Sequence, residues 1–161
     1  MFSDDLFESW FHEMEDSLYR ISYSILRSHH DAQDAMQEGL LSAWRNRAAC
    51  RVDTFKPWLT KIVVNECRNI QRKRQRQPEI PVEQMPEDSY SGPAEDLGLR
   101  EAIDALPETQ RIPLLLQSME GFTGKEIAQA LGISHTAVRF RLHQARNMLQ
   151  QALEREEVSA K

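Results

Sequence analysis

Hydrophobic residues recur through most of the chain at the spacing of an α-helix. Apolar side chains fall at i, i+3 and i+7 in residues 18–25, at i, i+4, i+7 and i+8 in residues 36–44, and at i, i+3, i+4 and i+11 in residues 59–70. The members are Leu18, Ile21, Ile25, Met36, Leu40, Ala43, Trp44, Leu59, Ile62, Val63 and Ile70. Such stripes form the buried faces of amphipathic helices, and no segment alternates with the period of a strand. The pattern therefore predicts an all-α fold.

The helical periodicity stops between Gln77 and Ala94, where QPEIPVEQMPEDSYSGPA holds four prolines and one glycine. Proline interrupts a helix, and a segment this poor in apolar residues cannot bury enough surface to fold alone. The break predicts two small helical domains, residues 1–76 and 95–155, joined by an acidic, proline-containing linker of residues 77–94. A chain of 161 residues suits one ordinary domain or two small ones.

Charge alternates along the chain although the net charge is −5. Residues 51–77 carry 8 bases and 2 acids, whereas residues 78–110 carry 9 acids and 1 base. A locally basic segment can dock phosphates within an acidic protein, or it can simply form a solvated helix face. No apolar run is long enough to cross a membrane, and the acidic N-terminus is unlike a signal peptide, so we expect a cytoplasmic protein.

The segment TGKEIAQALGISHTAVRFRLHQARNMLQ, residues 123–150, predicts a helix-turn-helix. Thr123 and Glu126 form a capping box, and Gly132 supplies the left-handed turn that ends the first helix. Ile133 follows in the core, and Ser134 caps a second helix. The inward stripe of that helix is Val138, Leu142, Ala145 and Leu149. Such a helix fits the major groove of DNA.

The opposite face of the second helix carries candidate base-reading side chains. At 100° per residue, this face is centred on Thr136, Phe140, His143 and Asn147 and is flanked by Arg139 and Gln144, with His135 at its start. Arginine can read guanine, glutamine or asparagine can read adenine, and an apolar ring can meet a thymine methyl. The alternatives are a polar face that is merely solvated, and a Phe140 ring that folds back against the protein.

The basic segment TFKPWLTKIVVNECRNIQRKRQR, residues 54–76, predicts a second nucleic-acid surface. Lys61, Asn65, Arg68 and Arg72 fall at i, i+4, i+7 and i+11 and so share one helix face. A row of cations can follow a phosphate backbone, and the amide among them can bond a base edge. Phe55 and Trp58 could stack on an unpaired base. Alternatively, Phe55 and Trp58 could pack in the core, which is the favoured interpretation for Trp58, and the cations could serve solubility alone.

The helix DAQDAMQEGLLSAWRNR, residues 31–47, turns polar and acidic side chains away from its apolar stripe. These are Asp34, Gln37 and Glu38, with the apolar Leu41 among them. Such a face suits a protein partner or remains solvated.

Together these motifs resemble the bacterial extracytoplasmic-function (ECF) sigma factors of the sigma-70 family. DAQDAMQEGLLSAWR is similar to the region that grips the polymerase clamp helices, and FKPWLTKIVVNECRNIQRKRQ resembles the minus-ten-reading helix. The segment from AIDALPETQR to GISHTAVRFRLHQAR resembles the fourth region, and the resemblance covers nearly the whole chain.

The resemblance implies a role for each motif. Asp34, Gln37 and Glu38 would lie at the polymerase-binding face, and Asn65 would lie beside a loop, Ala49 to Phe55, that takes a flipped-out minus-ten base. Lys61, Arg68 and Arg72 would hold the strand backbone, and Arg139, Phe140, His143 and Gln144 would meet the minus-thirty-five element. The linker would run toward the polymerase active-site cleft and the RNA exit path. The implied partners are core RNA polymerase, through its β′ clamp helices and β flap, promoter DNA and an anti-sigma factor.

The chain departs from the family at four positions of the reading helix. Thr136-Ala137 stands where the family has Gly-Thr, Phe140 where it commonly has Ser or Thr, and Gln144 where it has Arg. These departures predict a different minus-thirty-five sequence. Pro113 is also expected to kink the helix that contains it.

The sequence predicts a sigma factor and no enzyme, because it has no nucleophile–base set and no phosphate-cradling loop. We expect no cofactor, no small-molecule substrate and no metal site, since Cys50 and Cys67 have no metal-binding spacing and neither does the pair His29-His30. Two alternatives remain: a stand-alone helix-turn-helix regulator with an N-terminal sensor or dimerisation domain, and a scaffold that binds only protein.

Overall fold

The computed structural model describes residues 3–76 and 97–159, and its regular structure there is helical throughout. The α-helices are α1 (Asp4–Leu26), α2 (His29–Arg45), α3 (Phe55–Arg76), α4 (Leu97–Asp104), α5 (Glu108–Ser118), α6 (Gly124–Leu131) and α7 (His135–Ser159). Two 3-10 turns, Arg47–Ala49 and Val52–Thr54, join α2 to α3. The all-α prediction is confirmed, and the predicted linker, residues 77–94, lies outside the described residues.

Serine caps and one left-handed residue set the start of α1 and the boundary between α1 and α2. Ser3 caps α1 by accepting a hydrogen bond from the Leu6 amide at 3.2 Å. Arg27 then adopts a left-handed φ of 54° that ends α1, and Ser28 caps α2 at once. The turn of two residues brings α2 back against α1, as expected for a short helix–helix connection.

Helices α2 and α3 approach closely at a glycine. A Cβ added to Gly39 would lie 2.8 Å from Cγ2 of Val63, so no larger residue fits without movement. Val63 is fully buried beside Leu59 on the same predicted stripe. The acidic helix α2 is thereby held against the basic helix α3.

Trp44 differs from the prediction that it faces the core, since it is 37% exposed. Eight residues after Met36 a side chain has rotated about 80° around the helix, which places Trp44 at the edge of the buried stripe. Its ring meets Phe7 edge-on at 5.3 Å, and the Arg47 guanidinium lies 3.9 Å from its ring centre.

The helix-turn-helix is formed by α6 and α7 as the sequence predicts. The Thr123 hydroxyl and the Glu126 carboxylate each accept a hydrogen bond from the other residue's amide, completing the capping box. Gly132 has φ 67°, a left-handed conformation that glycine adopts without strain. The inward stripe of α7 is buried at Val138, Leu142 and Ala145. Helix α5 continues across the buried Pro113 from Glu108 to Ser118.

The two predicted domains pack against each other, which the sequence did not predict. Glu120, just after α5, has a side chain only 4% exposed and accepts two hydrogen bonds from Arg20 of α1, at 2.9 and 3.1 Å. Lys56 of α3 donates to the backbone oxygen of Glu120 at 3.1 Å and lies 4.4 Å from the Phe122 ring centre. The buried apolar residues of both halves form one continuous cluster.

Arg111 is a second link between the halves. It is 5% exposed, and its guanidinium donates to the backbone oxygen of Leu106 at 2.7 Å and to the hydroxyl and backbone oxygens of Ser24 at 2.9 and 2.8 Å. Burial, and next to it the charge of Arg27, lowers the pKa of Arg111. The donor-rich guanidinium finds acceptors at these oxygens, so its polar atoms are satisfied away from water.

Candidate nucleic-acid interface

The cationic row on α3 lies on the protein surface. Lys61, Asn65, Arg68 and Arg72 are all exposed, while Leu59, Val63 and Cys67 of the same helix are buried. Arg72 donates to Asn69 Oδ1 at 2.6 Å and to the Arg68 backbone oxygen at 3.4 Å. These contacts direct the Arg72 guanidinium toward the preceding turn of α3. The arrangement can bind a phosphate backbone while Asn65 offers an amide to a base.

The two aromatic residues at the start of α3 are not equivalent. Phe55 is 4% exposed and packs against Phe7, Trp10 and Trp58, with ring centres 5.6, 5.1 and 6.0 Å away. The prediction that Phe55 stacks on a base is therefore corrected, because its faces are already covered by protein. Trp58 is partly buried against the core, in agreement with the alternative favoured from the sequence.

The outer face of α7 presents most of the predicted reading residues to solvent. His135, Thr136, Arg139, Phe140, His143 and Asn147 are exposed. The Phe140 ring is 62% exposed, so it does not fold back against the protein. His143 Nε2 and Asn147 Nδ2 are 3.2 Å apart, one turn from each other. The face thus combines cationic, amide and apolar groups, which is the mixture that base edges in a major groove require.

The first turn of α7 is fixed from both sides. Ser134 Oγ accepts a hydrogen bond from the Ala137 amide at 3.0 Å, the predicted cap. A Cβ on Gly124 would lie 2.6 Å from Nε2 of His135, so the glycine leaves room for the imidazole at the start of α6. The beginning of the reading face is thereby positioned against the first helix of the motif.

Gln144 is held differently from the rest of the predicted reading face. It is partly buried, and its Oε1 accepts a hydrogen bond from Nε2 of Gln110 in α5 at 3.1 Å. Sequence reasoning missed Gln110, because a contact across 34 residues leaves no periodic signal. The amide group of Gln144 retains its NH₂ and one oxygen lone pair for another partner.

The acidic face of α2 is more apolar than the sequence indicated. Gln37 and Glu38 are exposed, Asp34 is half-exposed, and Leu41 is 47% exposed. Trp44, which the sequence pattern predicted to face the core, extends this exposed face by one turn. We call Asp34, Gln37, Glu38, Leu41 and Trp44 the α2 face. Its exposed leucine and tryptophan beside carboxylates suit a protein partner better than plain solvation.

Two further sets of titratable groups are a cluster at the start of α2 and the two cysteines. One ligand atom each from His30, Asp31 and Asp34 lie within 4.8 Å of one another, a grouping not expected from the sequence, although Asp31 already pairs with Arg74. Burial raises the pKa of the Cys67 thiol to about 11 and, with Asp53, raises that of Cys50. A thiol with a raised pKa is a poor nucleophile at neutral pH.

Comparison with known proteins assigns the chain to a family. Residues 10–77 match the model of Sigma-70 region 2, and residues 96–149 match that of Sigma-70, region 4. A relative from Mycobacterium tuberculosis H37Rv, named ECF RNA polymerase sigma factor SigM, is 30% identical over 150 residues, which cover 91% of this chain and 76% of the relative. The chain belongs to the ECF sigma factors.

Other relatives of this sigma factor agree. ECF RNA polymerase sigma factor SigE of Mycolicibacterium smegmatis is 34% identical over 86% of this chain, which spans 58% of that relative's length. The sigma factor RpoE of Bartonella quintana, solved with the anti-sigma factor NepR, shares the fold with a TM-score of 0.75 at 24% identity, covering 92% of this chain and 96% of that chain. Among the helices described in this sigma factor, none is both long enough and apolar enough to span a bilayer.

Proposed function

We propose that this sigma factor binds core RNA polymerase and directs it to promoters by reading the minus-ten and minus-thirty-five elements. The observation that carries the proposal is the pair of exposed surfaces on separate helices, the cationic row of α3 and the outer face of α7. They fall in the two segments that match sigma-70 regions 2 and 4, in that order. The chain supplies recognition, the polymerase supplies the chemistry, and both act in the cytoplasm.

Residues 1–76 form the minus-ten unit in this proposal. Lys61, Arg68 and Arg72 hold phosphates of the strand, and Asn65 bonds a base edge. Trp58, partly buried, borders this surface and keeps Phe55 in the core. The exposed Ala49, which ends the first 3-10 turn of the α2–α3 connection, leaves that side open for a flipped-out base.

Residues 95–155 form the minus-thirty-five unit. Arg139 reads guanine, Phe140 meets a thymine methyl, and Gln144 pairs with adenine. His135, Thr136, His143 and Asn147 complete the exposed face and bond phosphates or base edges.

The α2 face binds the β′ clamp helices of the polymerase, and residues 95–155 also contact the β flap. The exposed Leu41 and Trp44 give the α2 face an apolar centre, with carboxylates around it. An anti-sigma factor is the proposed regulator, in keeping with the Bartonella quintana sigma factor that was solved with one.

Transcription in vitro with core polymerase and a library of genomic promoter fragments tests the function. We expect selected start sites that share two elements at a fixed spacing, and no selected transcription from core polymerase alone. A triple variant, Lys61→Ala, Arg68→Ala and Arg72→Ala, is expected to abolish selection. The control replaces an exposed arginine outside the proposed surfaces, Arg155→Ala, and is expected to preserve it.

The alternative of a stand-alone helix-turn-helix regulator makes a different prediction. A regulator binds its operator without polymerase, and its N-terminal half forms a ligand pocket or a dimer. Sequence-specific binding by the isolated chain, unchanged by core polymerase, together with no promoter selection in transcription, would reject the sigma function and favour that alternative.

A further inference from the structure

The hydrogen bond between Gln110 and Gln144 connects α5 to the reading face of α7. Nε2 of Gln110 donates to Oε1 of Gln144 at 3.1 Å in a partly buried setting. Gln144 is thus the one proposed base-reading side chain in residues 97–159 that is partly buried and bonded to another helix.

Gln110 is rigidly mounted. Its backbone N–H donates a hydrogen bond to the backbone oxygen of Pro107 at 3.0 Å in the first turn of α5. The next residue, Arg111, is buried and bonded to Ser24 and Leu106. Backbone motion at Gln110 would disturb these bonds, so the side-chain Nε2 of Gln110 extends toward Gln144 from a fixed backbone position.

The side-chain oxygen of Gln110 accepts no hydrogen bond from the described residues. Its Oε1 is buried and has no hydrogen-bond partner within the described parts of the chain. A buried acceptor without a partner destabilises a fold, and an apolar residue of similar size would avoid the loss. Stability alone therefore does not explain a glutamine at this position, whereas contact with Gln144 does.

We propose that Gln110 is a positioning residue that orients Gln144 to read adenine in the minus-thirty-five element, an inference that rests on the proposed function. The bond from Gln110 occupies one lone pair of Gln144 Oε1 and fixes the direction of the amide. The second lone pair and the NH₂ group remain, and they match adenine N6–H and N7. A side chain ordered before binding loses less conformational entropy in the complex.

The test is competitive binding of the polymerase holoenzyme to promoters that differ only at the base read by Gln144. Gln144→Ala is expected to reduce discrimination for adenine by about 5- to 150-fold. Gln110→Leu and Gln110→Ala are expected to reduce it by about 2- to 13-fold, the worth of ordering one long side chain. In the Gln144→Ala background neither change at Gln110 is expected to have a further effect. Gln151→Leu, at an exposed glutamine later in α7, is the control and is expected to change nothing.

Thermal melting separates positioning from a structural role. We expect the melting temperature of Gln110→Leu to equal or exceed that of the parent chain, because the orphaned acceptor is removed. A drop in melting temperature that accompanies loss of discrimination at every promoter base would overturn the inference. So would unchanged adenine discrimination in both Gln110 variants while Gln144→Ala loses it.

Two further outcomes separate this inference from the function beneath it. If Gln144→Ala keeps full discrimination while the holoenzyme still selects promoters, positioning by Gln110 is wrong and the sigma function stands. If the parent chain directs no promoter selection with core polymerase, the proposed function is wrong and this inference falls with it.

Discussion

At the scale of single residues, the exposure of Phe140 limits which base surface this side chain can recognise. Its ring is 62% exposed on the face that also presents Thr136 and His143. Phenylalanine has no hydrogen-bonding group, so in a groove it can recognise only an apolar surface such as the thymine methyl. The sequence left open whether the ring folds back, since periodicity gives the direction of a side chain and not its rotamer.

Replacing Phe140 and replacing Gln144 are expected to change the minus-thirty-five preference at different positions and in different ways. Phe140→Ser removes the apolar contact, so the thymine preference is lost while backbone binding persists. Gln144→Arg shifts preference at its base toward guanine, by about 1–3 kcal/mol if the contact is bidentate. Selection from DNA randomised at this element, with the parent chain and both variants, measures each shift. Identical selected sequences for all three proteins would contradict both assignments.

Because the pKa of the buried Cys67 thiol is raised, we expect the folded state to lose stability at alkaline pH. Its pKa is raised by burial to about 11 from an ordinary value of 9.0, so between these values the unfolded chain releases a proton that the folded chain keeps. The contribution is fully present below pH 9.0 and is lost as the pH rises toward about 11, by ~2–3 kcal/mol at most. Urea unfolding at pH 7 to 11 measures it. Cys67→Ala is expected to flatten this part of the profile, and an equally steep decline in that variant would assign it to other groups.

At the scale of helices, the spacing of apolar residues predicted the elements well and their edges less well. The stripe Leu59, Val63 in α3 is buried, and the cations on its other side are exposed, because one angle of 100° per residue determines both faces. Phe55 and Trp44 lie at a helix end or a stripe edge. There burial depends on rings from other helices, such as Phe7 and Trp10, which no local pattern specifies.

The cations and the amide of α3 are expected to respond differently to substitution. Arg68→Ala removes one phosphate contact, which lowers the slope of log affinity against log salt by about one unit and leaves sequence preference unchanged. Asn65→Ala is expected to relax preference at one minus-ten position and to leave the slope nearly unchanged. Promoter binding by the holoenzyme from 50 to 200 mM salt measures both. Equal effects of the two substitutions on slope and preference would place the base-reading group elsewhere.

Reversing the charge of the α2 face is expected to weaken binding to core polymerase. Asp34→Lys with Glu38→Lys replaces carboxylates beside the exposed Leu41 by cations, while the helix keeps good helix-forming residues. A pull-down with core polymerase measures affinity, and circular dichroism checks helix content. Glu8→Lys with Glu13→Lys, at exposed positions of α1, is the matched control. Unchanged affinity in the α2 variant would reject this face as the polymerase contact.

At the scale of the whole molecule, the two halves are joined by polar contacts that span about a hundred residues of sequence. Arg20 and Glu120 are 100 residues apart, and Ser24 and Arg111 are 87 apart. The sequence predicted helical structure in both halves. No local sequence pattern specifies which faces of α1 and α3 contact α5 and α6. The pairing depends on complementary surfaces, and each surface alone looks like an ordinary helix face.

Arg20→Ala is expected to separate the halves. It leaves the Glu120 carboxylate, 4% exposed, without its cation. Breaking a fully buried pair costs about 3–5 kcal/mol, and because the Arg20 side chain is 30% exposed we expect a cost at or below the lower end of that range. Opening the interface returns that carboxylate to water, so we expect one thermal transition for the parent chain and two for Arg20→Ala. Arg45→Ala, at an exposed arginine of α2, is the control. One unshifted transition in Arg20→Ala would mean that the pair does not hold the halves together.

The packing of the halves sets a limit on how far the protein can reach. Two elements about 25 base pairs apart are separated by about 85 Å of duplex at 3.4 Å per base pair. A compact body of the size of residues 3–76 and 97–159 together has a radius of gyration of about 14 Å. While Glu120 stays against Arg20, the molecule is shorter than the distance between the two promoter elements. Under the proposed function it can therefore contact only one element at a time. The distance between the elements must therefore be measured by a larger body, one that holds α3 and α7 apart.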